Sequence, residues 1–366
     1  MKNIKILINE YHYKKGSKSL IFLPLGLISI FYSIVIFTKN LLYKIGILKE
    51  KKVKPYVICV GNLTTGGVGK TPIVCEIANY IANTLGKKTA IISRGYGAKL
   101  NNKNINIIKD YQKIYFNDAQ VCGDEALLCA KNTANCAVLT CSNRVKAANF
   151  AHNNFGAEVV VLDDGFSNRK IKKDFTVLVI DSKKQFGNGA LLPLGPLREP
   201  VSESKRADYF IISNKNNPEL TKAVSEIAKK IKNNKVSVCN FVEGYFYNIK
   251  NGLKIVPSNQ KAIAFCAIGQ PEQFYDYLKK HFDVTFTKTF EDHYCYTQND
   301  IDNLIEQAKK NGANAIITTQ KDEVKIIPFI NNMFISLKLK AQFDDMGLFW
   351  LIEKGIKNET KWNIQK

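Results

Sequence analysis

Short runs of apolar residues alternate, up to residue 213, with stretches in which apolar residues recur every three or four positions. Such runs, bounded by glycine and polar residues, predict buried strands, and the other stretches predict helices packed on them. The predicted strands are residues 57–60, 89–93, 136–140, 158–164, 175–181 and 209–213. This alternation indicates an α/β fold with a doubly wound, mainly parallel sheet, whose ligands bind at the carboxyl ends of the strands.

The second half of the chain has the same pattern on a smaller scale. A charged stretch before residue 235 predicts a surface helix, and residues 236–256 have the pattern of two short strands. Further apolar runs predict the strands of a smaller α/β domain, at residues 262–268, 284–290 and 315–319. We therefore predict four parts: an N-terminal segment (1–50), a larger α/β domain (51–235), a two-stranded linker (236–260) and a smaller C-terminal α/β domain (261–366).

The N-terminal segment contains an uncharged stretch, residues 19–38, that is mostly Leu, Ile, Phe and Val. Its length is close to the roughly 20 residues that a helix needs to span a bilayer. However, Pro24 interrupts its start, and lysines flank both ends, so the positive-inside rule gives no orientation. A weakly polar stripe at helical spacing comprises Gly26, Ser29, Ser33, Asn40 and Lys44. We favour a helix that lies in the cytosolic face of a membrane, with a single span and a buried core helix as the alternatives.

A glycine-rich loop follows the first strand and precedes a helix whose apolar positions include Ile73, Ile77 and Ile81. In such a loop, backbone N–H groups and the helix N-terminus surround a phosphate chain. The lysine of the motif reaches the β- and γ-phosphates, and the following hydroxyl binds Mg²⁺. The predicted nucleotide-binding residues, called the phosphate loop below, are Thr64, Thr65, Gly66, Gly67, Val68, Gly69, Lys70 and Thr71. Only Thr64 departs from the usual GxxxxGK[ST] pattern, which has glycine there.

Two groups of acidic residues are candidates for metal binding and proton transfer. The run at 159–162 ends in Asp163 and Asp164, which is the form of a Walker B strand whose acid holds Mg²⁺. Asp124 and Glu125 follow Gly123 near a predicted helix start. Ordinary helix capping explains such acids. The functional interpretation is a base for a substrate hydroxyl or, for Glu125, a further Mg²⁺ ligand.

Arginine is rare in this chain. Of 53 basic residues only five are arginine, and they are Arg94, Arg144, Arg169, Arg198 and Arg206. A lysine-rich chain keeps arginine where a planar, bidentate fork is needed for phosphate or carboxylate. Arg198 lies in a glycine- and proline-rich segment, residues 187–200, which we call the Gly/Pro loop. This loop is either a connector or a clamp for substrate or phosphate.

Composition restricts the partners. The net charge is +21, but the basic residues are spread along the chain without clusters interleaved with aromatics, so we predict no nucleic-acid partner. The nine cysteines form no CxxC pair, so neither a zinc site nor a disulfide framework is indicated, and reduced thiols point to the cytosol. Neither Asn214-Lys215 nor Lys321-Asp322 completes a guanine-reading NKxD signature. We therefore expect ATP rather than GTP.

Taken together, these segments resemble the tetraacyldisaccharide 4'-kinase family, from the apolar N-terminal segment to about residue 325. The resemblance is carried by Val60-Gly-Asn-Leu-Thr-Thr-Gly-Gly-Val-Gly-Lys-Thr-Pro72, Ser93-Arg-Gly-Tyr-Gly97, Gly123-Asp-Glu125, Asp163-Asp-Gly165, Leu192-Pro-Leu-Gly-Pro-Leu-Arg-Glu-Pro200, Ile268-Gly-Gln-Pro271, Asp292-His293 and Lys321-Asp322. It implies a P-loop NTPase-type kinase domain at residues 51–235, ATP and Mg²⁺ as cofactors, and phosphate transfer to the 4'-hydroxyl of a tetraacyldisaccharide 1-phosphate in lipid A biosynthesis. It also implies action at the cytoplasmic face of the bacterial inner membrane.

The resemblance assigns roles to individual residues. It implies a catalytic Asp124 paired with His293, and we add Lys70 and Arg198 as catalytic residues. The predicted Mg²⁺ ligands are Thr71, Glu125 and Asp163, and the predicted substrate contacts are Arg94, Asp164 and Glu199. The family usually has Gln-His where this chain has Ser167-Asn168, so the role of that histidine is left unassigned. The oligomeric state is left open.

One alternative belongs to another class of protein. A membrane-associated ATPase switch of the ParA/MinD type shares the sequence of residues 66–71. That class requires lysine immediately before the first of these glycines, and this chain has Thr65. A nucleotide-dependent metal chaperone requires a Cys/His motif that the sequence lacks. Dependence of ATP turnover on a glycolipid acceptor distinguishes the kinase from the switch.

Overall fold

The computed structural model describes residues 11–13, 23–214, 216–233, 236–269, 271–291 and 294–364. These residues form two compact units. The first takes its described residues from 1–92, 143–240 and 342–366, and the second from 93–142 and 241–341.

The elements alternate between strand and helix along most of the described chain. The strands are β1 (Tyr56–Gly61), β2 (Thr89–Ser93), β3 (Asn106–Lys109), β4 (Cys136–Thr140), β5 (Val159–Asp163), β6 (Phe175–Asp181), β7 (Tyr209–Asn214), β8 (Val236–Asn248), β9 (Lys254–Ile255), β10 (Lys261–Cys266), β11 (Asp283–Thr289), β12 (Ala315–Thr319) and β13 (Phe334–Phe343). The α-helices are α1 (Leu23–Lys44), α2 (Lys70–Asn79), α3 (Ala119–Cys122), α4 (Asp124–Asn132), α5 (Arg144–Phe155), α6 (Leu220–Ile231), α7 (Pro271–Leu278), α8 (Gln298–Lys310), α9 (Gln320–Ile326) and α10 (Gly347–Ile364).

The first unit is built on a parallel sheet with the strand order β8–β7–β6–β1–β5–β2. Every residue of β1 and β5 is buried, as expected for strands covered on both faces. The register places Val60 of β1 opposite Asp163 of β5. The segments that follow these two strands therefore leave the sheet side by side, at its carboxyl edge.

Helices and loops pack on this sheet, and on the side of the Gly/Pro loop their apolar side chains form one buried cluster. Its buried members are Leu63, Phe166, Leu178, Ile180, Phe186, Leu197, Ala207, Phe210, Ile212, Ile227 and Ile231. Two of them, Phe186 and Leu197, belong to or directly precede the Gly/Pro loop. The loop is therefore tied to the core of the first unit by burial of its apolar side chains.

Helix α1 presents a mostly polar stripe to the protein and its large apolar residues to the outside. Ser29 and Asn40 are buried, whereas Leu27, Phe31 and Phe37 are each about 70% exposed, at 71%, 69% and 69%. Residues Pro24–Lys44 are long and apolar enough to cross a membrane, with a mean hydropathy of 1.8 and 17% of the window buried. A buried core helix, one of the alternatives above, is therefore wrong for this segment.

The second unit contains a parallel group of strands in the order β11–β10–β12–β13. The later part of β8 pairs antiparallel with β9, and β3 pairs antiparallel with β4. Helix α8 begins at a capping box in which Thr297 accepts from Asp300 N and the Asp300 side chain accepts from Thr297 N. Rings pack edge to face in the core next to α8, where Phe265 and Tyr296 lie 5.4 Å apart.

The two compact units divide the chain differently from the four predicted parts. The first unit includes the described residues of 1–50, the predicted linker is divided after residue 240, and two further stretches are grouped differently. Residues 93–142 group with the later part of the chain because α4 packs on α9, where Lys131 Nζ lies 3.4 Å from Glu323 Oε1. Residues 342–366 group with the first unit because α10 packs on the helix after the phosphate loop, with the Tyr80 and Phe349 rings 4.7 Å apart. Both groupings depend on contacts between segments that are far apart in sequence.

Candidate active site

The phosphate loop connects β1 to α2 in the first unit. Gly66 and Gly69 have φ values of +96° and +86°, a left-handed conformation that favours glycine. No heavy atom lies within 4 Å of a Cβ built on Gly66 or Gly67, so this part of the loop borders open space. A backbone of this shape at a helix N-terminus is suited to a phosphate chain.

Thr64 occupies the place of the first motif glycine because the chain is strand-like at this position. It is buried and forms an antiparallel bridge with Leu197 of the Gly/Pro loop. On either side of this bridge, Thr65 N donates to Pro196 O at 2.8 Å and Arg198 N donates to Leu63 O at 2.7 Å. The Gly/Pro loop is thus paired with the backbone of the phosphate loop and is more than a connector.

This pairing brings Arg198 to Asp164, which follows β5. Arg198 Nη1 donates to Asp164 Oδ2 and Arg198 Nη2 donates to Asp164 Oδ1, both at 2.9 Å. The guanidinium therefore makes the bidentate contact that the rarity of arginine predicted, although its partner here is a carboxylate of the protein. Lys70 Nζ lies 3.7 Å from the same carboxylate.

The charge state of Asp164 follows from these neighbours. Burial by itself raises the pKa of this carboxyl group, but the positive charges of Lys70, Arg198 and Arg144 outweigh burial and lower the pKa to about 2. Asp164 is therefore ionised at neutral pH and holds two cations at the end of the phosphate loop.

Asn62 is a site residue that the sequence analysis did not assign. Its side chain is 1% exposed. Its amide group donates to Thr64 O at 2.7 Å, and its Oδ1 accepts from Lys70 Nζ at 3.1 Å and also from Arg198 Nη2. The residue stood within the quoted motif, between Gly61 and Leu63, but only the folded chain brings Lys70 and Arg198 to the same amide oxygen.

Thr71 and Asp163 form a pair of oxygen ligands at the start of α2. Both are buried, and Thr71 Oγ1 lies 3.5 Å from Asp163 Oδ2. Arg144 Nη2 donates to Asp163 O at 3.2 Å and holds the end of β5. Across the described ranges, no group of three His, Cys, Asp or Glu side chains forms a metal site. A hydroxyl and one carboxylate fit Mg²⁺, which takes its other ligands from phosphate and water.

Glu199 follows Arg198 and is buried in the first unit. It is 1% exposed and forms an ion pair with Arg206 through one carboxylate oxygen. Its other oxygen, Oε1, has no hydrogen-bond partner among the residues that the structure describes. Asn168, at the position of the family's usual histidine, accepts from Lys170 N at 3.1 Å in a local turn.

The remaining predicted residues that the structure describes belong to the second unit. Asp124 and Glu125 form the first turn of α4, where Asp124 Oδ1 accepts from Glu125 N at 2.9 Å. Acids in the first turn of a helix interact favourably with the helix dipole, which is their ordinary role there. Arg94 is exposed directly after β2. His293 lies outside the described residues.

Comparison with known proteins gives one consistent family. The model of the family described as Tetraacyldisaccharide-1-P 4'-kinase matches residues 21–357. A tetraacyldisaccharide 4'-kinase of Halothermothrix orenii is 33% identical over 333 residues, which cover 85% of this chain and 86% of the relative. The protein of the same name from Desulfotalea psychrophila is 35% identical and covers 84% of this chain and 88% of the relative.

A solved structure is similar over most of the chain. The structure of LpxK from Aquifex aeolicus in complex with ATP has a TM-score of 0.71 and 29% sequence identity, and the match covers 92% of this chain and 98% of that chain. The predicted P-loop kinase fold is therefore confirmed, and the predicted ATP-dependent kinase activity is that of the family. The chain belongs to the tetraacyldisaccharide 4'-kinase family, the ATP-dependent kinases of lipid A biosynthesis.

Proposed function

We propose that this kinase works with Mg²⁺ on a tetraacyldisaccharide 1-phosphate held in the cytoplasmic face of a bacterial inner membrane. The 4'-hydroxyl oxygen attacks the γ-phosphorus of ATP and forms the new P–O bond. The bond to the β,γ-bridging oxygen breaks, ADP leaves, and the hydroxyl proton passes to a base. The arrangement of Lys70, Arg198 and Asp164 beside the phosphate loop is the observation that carries this proposal.

Lys70 and Arg198 are the cations of this reaction. Phosphoryl transfer is catalysed mainly by positioning and by neutralising charge on the transferred group. Both side chains are held by Asn62 and Asp164, so they have fixed positions before a phosphate binds. Cations fixed in this way stabilise the transition state without rearrangement during the reaction. Thr71 and Asp163 would hold Mg²⁺, which supplies further neutralisation of phosphate charge.

The proposed base is Asp124, with His293 as its partner, as the family resemblance implies. Asp124 is the first residue of α4, and its Oδ1 accepts from Glu125 N at 2.9 Å. We propose that Asp124 accepts the proton of the 4'-hydroxyl and that His293 orients it. Glu125, Arg94 and Glu199 remain proposed contacts for metal or substrate.

The membrane contact is proposed to be the exposed face of α1. Large apolar side chains cover this face, and they are Leu27, Ile28, Ile30, Phe31, Ile34, Val35, Phe37 and Leu41. The opposite side of the same helix packs on the first unit, as the buried Ser29, Ile36 and Asn40 indicate. A helix with one face on the protein and the rest apolar favours a position within the membrane surface over a free span. The acyl chains of the substrate would lie in the same layer.

Replacement of Phe31 and Phe37 by serine is expected to weaken membrane association by at least about ten-fold, because each Phe side chain transferred from water into the membrane contributes roughly 1.5–3 kcal/mol. Flotation with vesicles of bacterial lipid composition measures this. The matched control is Leu253→Ser, which removes an equally exposed apolar side chain from the second unit. Undiminished flotation of the Phe31/Phe37 variant would mean that another surface, such as a basic one, is the anchor.

The proposed reaction is tested by transfer of labelled phosphate from ATP to a tetraacyldisaccharide 1-phosphate dispersed in detergent. We expect phosphorylated glycolipid that forms only with Mg²⁺, and little ATP turnover without acceptor. A ParA/MinD-type switch would instead hydrolyse ATP without the glycolipid. Acceptor that lacks the 4'-hydroxyl is the control, and transfer to it would place the reaction at another position.

Arg198→Lys is expected to lower kcat by roughly 10²-fold although the charge is kept, because lysine cannot make the fork that Arg198 makes with Asp164. The steady-state kinetics of glycolipid phosphorylation measure this. Arg169→Lys is the control, since Arg169 contacts Glu50 through Nε at 3.2 Å and lies 4.5 Å from the centre of the Tyr43 ring, and neither contact is a two-bond fork. Equal kcat values for parent and Arg198→Lys would contradict the clamp role of the Gly/Pro loop.

A further inference from the structure

Helix α1 also presents a polar face to the protein, opposite the apolar face proposed to contact the membrane. The inward-facing residues of α1 follow helical spacing, and they are Ser29, Tyr32, Ser33, Ile36, Lys39, Asn40 and Tyr43. Most of these side chains are polar, whereas the faces exposed to the outside are apolar. A soluble protein normally packs a helix with the opposite polarity. The polar stripe therefore needs a polar partner within the first unit.

That partner is the backbone of the loops that carry Arg198 and Asp164. Ser29 Oγ donates to Leu191 O at 2.9 Å, and Tyr32 OH donates to Arg198 O at 2.9 Å. Further along the helix, Lys39 Nζ donates to Ser167 O at 3.1 Å, three residues after Asp164. Each acceptor is a main-chain carbonyl, so these contacts hold the course of the loops rather than the conformation of one side chain.

Tyr32 contacts Arg198, the residue that makes the bidentate contact with Asp164. Arg198 N is already bound to Leu63 O at 2.7 Å, and Tyr32 binds the carbonyl of the same residue. Both main-chain polar groups of Arg198 are thus fixed, one by the segment before the phosphate loop and the other by α1. With its backbone held from both sides, the guanidinium can reach Asp164 through two parallel hydrogen bonds.

Residues His12 and Tyr13, which precede α1, also bind these loops. His12 Nε2 lies 2.9 Å from Pro193 O, and Asn188 N donates to His12 O at 2.8 Å. Tyr13 OH donates to Thr65 O, within the phosphate loop, at 3.2 Å. Two N-terminal stretches, residues 11–13 and α1, therefore bind the Gly/Pro loop, and the first of them also binds the phosphate loop.

We infer that Tyr32 is a positioning residue for Arg198, so that α1 joins the membrane-facing surface to the arginine that faces the phosphate. The catalytic consequence rests on the proposed function, whereas the positioning of Arg198 does not. If α1 served only as a membrane anchor, only its outer, apolar face would matter. Removal of the inward-facing Tyr32 hydroxyl would then leave its function unchanged. The two roles of α1 can therefore be separated by substitution.

The first test is kinetic and uses Tyr32→Phe with detergent-dispersed glycolipid. We expect kcat to fall about five- to ten-fold with unchanged ATP KM and unchanged vesicle flotation. Tyr115→Phe is the matched control, because it also removes a single hydroxyl, one that binds Asp110 in the second unit. In an Arg198→Lys background, Tyr32→Phe should add less than two-fold, since residues that act through one another give non-additive losses. An equal loss in both backgrounds would overturn the inference.

The second test does not depend on catalysis. Because the chain has only five arginines, the Nε–Hε NMR signals of ¹⁵N-arginine-labelled protein can be assigned, with Arg198→Lys identifying that of Arg198. Tyr32→Phe and Ser29→Ala should each shift or broaden the Arg198 signal and leave in place the signal of Arg94, an exposed residue of the second unit. An unchanged Arg198 signal in both variants would overturn the inference. Absence of phosphate transfer by the parent would contradict the proposed function alone, and these signals would still decide the role of Tyr32.

Discussion

Lys70→Ala is expected to abolish nearly all phosphate transfer, with kcat at least about 10³-fold below that of the parent. The lysine of a phosphate loop supplies a point charge at the β- and γ-phosphates, and removal of one preorganised charge or donor costs roughly 10²–10³-fold. Here the loss is compounded, because Lys70 Nζ also binds Asn62 Oδ1 and lies beside Asp164. ATP binding should weaken as well.

The measurement is steady-state transfer to the glycolipid, together with binding of a non-hydrolysable ATP analogue. Lys146→Ala is the control, since Lys146 is an exposed lysine on α5 of the same unit. Both variants should unfold at temperatures close to that of the parent, because the Arg198–Asp164 pair remains. Parent-like turnover and ATP affinity in Lys70→Ala would end the assignment of residues 64–71 to the nucleotide.

Asp124→Asn is expected to lower kcat by about 10²–10⁴-fold with little change in the ATP KM, because the amide cannot accept the hydroxyl proton. The amide oxygen can still accept from Glu125 N, so this contact in the first turn of α4 is kept. Asp118→Asn is the matched control, since Asp118 caps the preceding helix α3 by accepting from Gln120 N. A comparable loss of kcat in both variants would mean that capping, rather than proton transfer, is the role of Asp124.

His293→Ala is expected to show a similar loss, and the double variant should be little worse than the poorer single one. Two residues that act as one base give such non-additive losses. The measurement is a double-mutant cycle on kcat with the glycolipid acceptor. Strictly multiplicative losses would show that Asp124 and His293 act independently, and the proposed pair would then have to be abandoned.

The positions of most strands and of the phosphate loop were predictable from the sequence, because they depend on local patterns. The apolar runs located β1, β2, β4, β5, β6 and β7 closely, and the phosphate loop was recognisable from its glycines, the following Lys70 and Thr71, and its place between a strand and a helix. Strands β3 and β13 were not predicted, since β3 has only four residues and β13 is half exposed, with lysines among its later residues. Patterns of this kind do not differ clearly from those of loops.

The contacts that organise the site were not predictable, because they join residues that are far apart. Arg198 binds the Asn62 carbonyl across 136 positions of sequence, and Tyr32 binds Arg198 across 166. The rarity of arginine indicated that Arg198 makes a fork, but nothing local identified Asp164 as its partner. The polar stripe of α1 was visible in Ser29 and Asn40, whereas Tyr32 does not differ in the sequence from an ordinary interfacial tyrosine.

The shared carboxylate of Asp164 has a consequence for how ATP is received. Lys70 and Arg198 carry like charges that repel each other, and the carboxylate between them offsets that repulsion while no phosphate is present. The electrostatic work of gathering two cations is therefore done when the chain folds and not when the nucleotide arrives. We expect an incoming triphosphate to replace the Asp164 carboxylate as the counter-ion of these two cations, so that one anion takes the place of another.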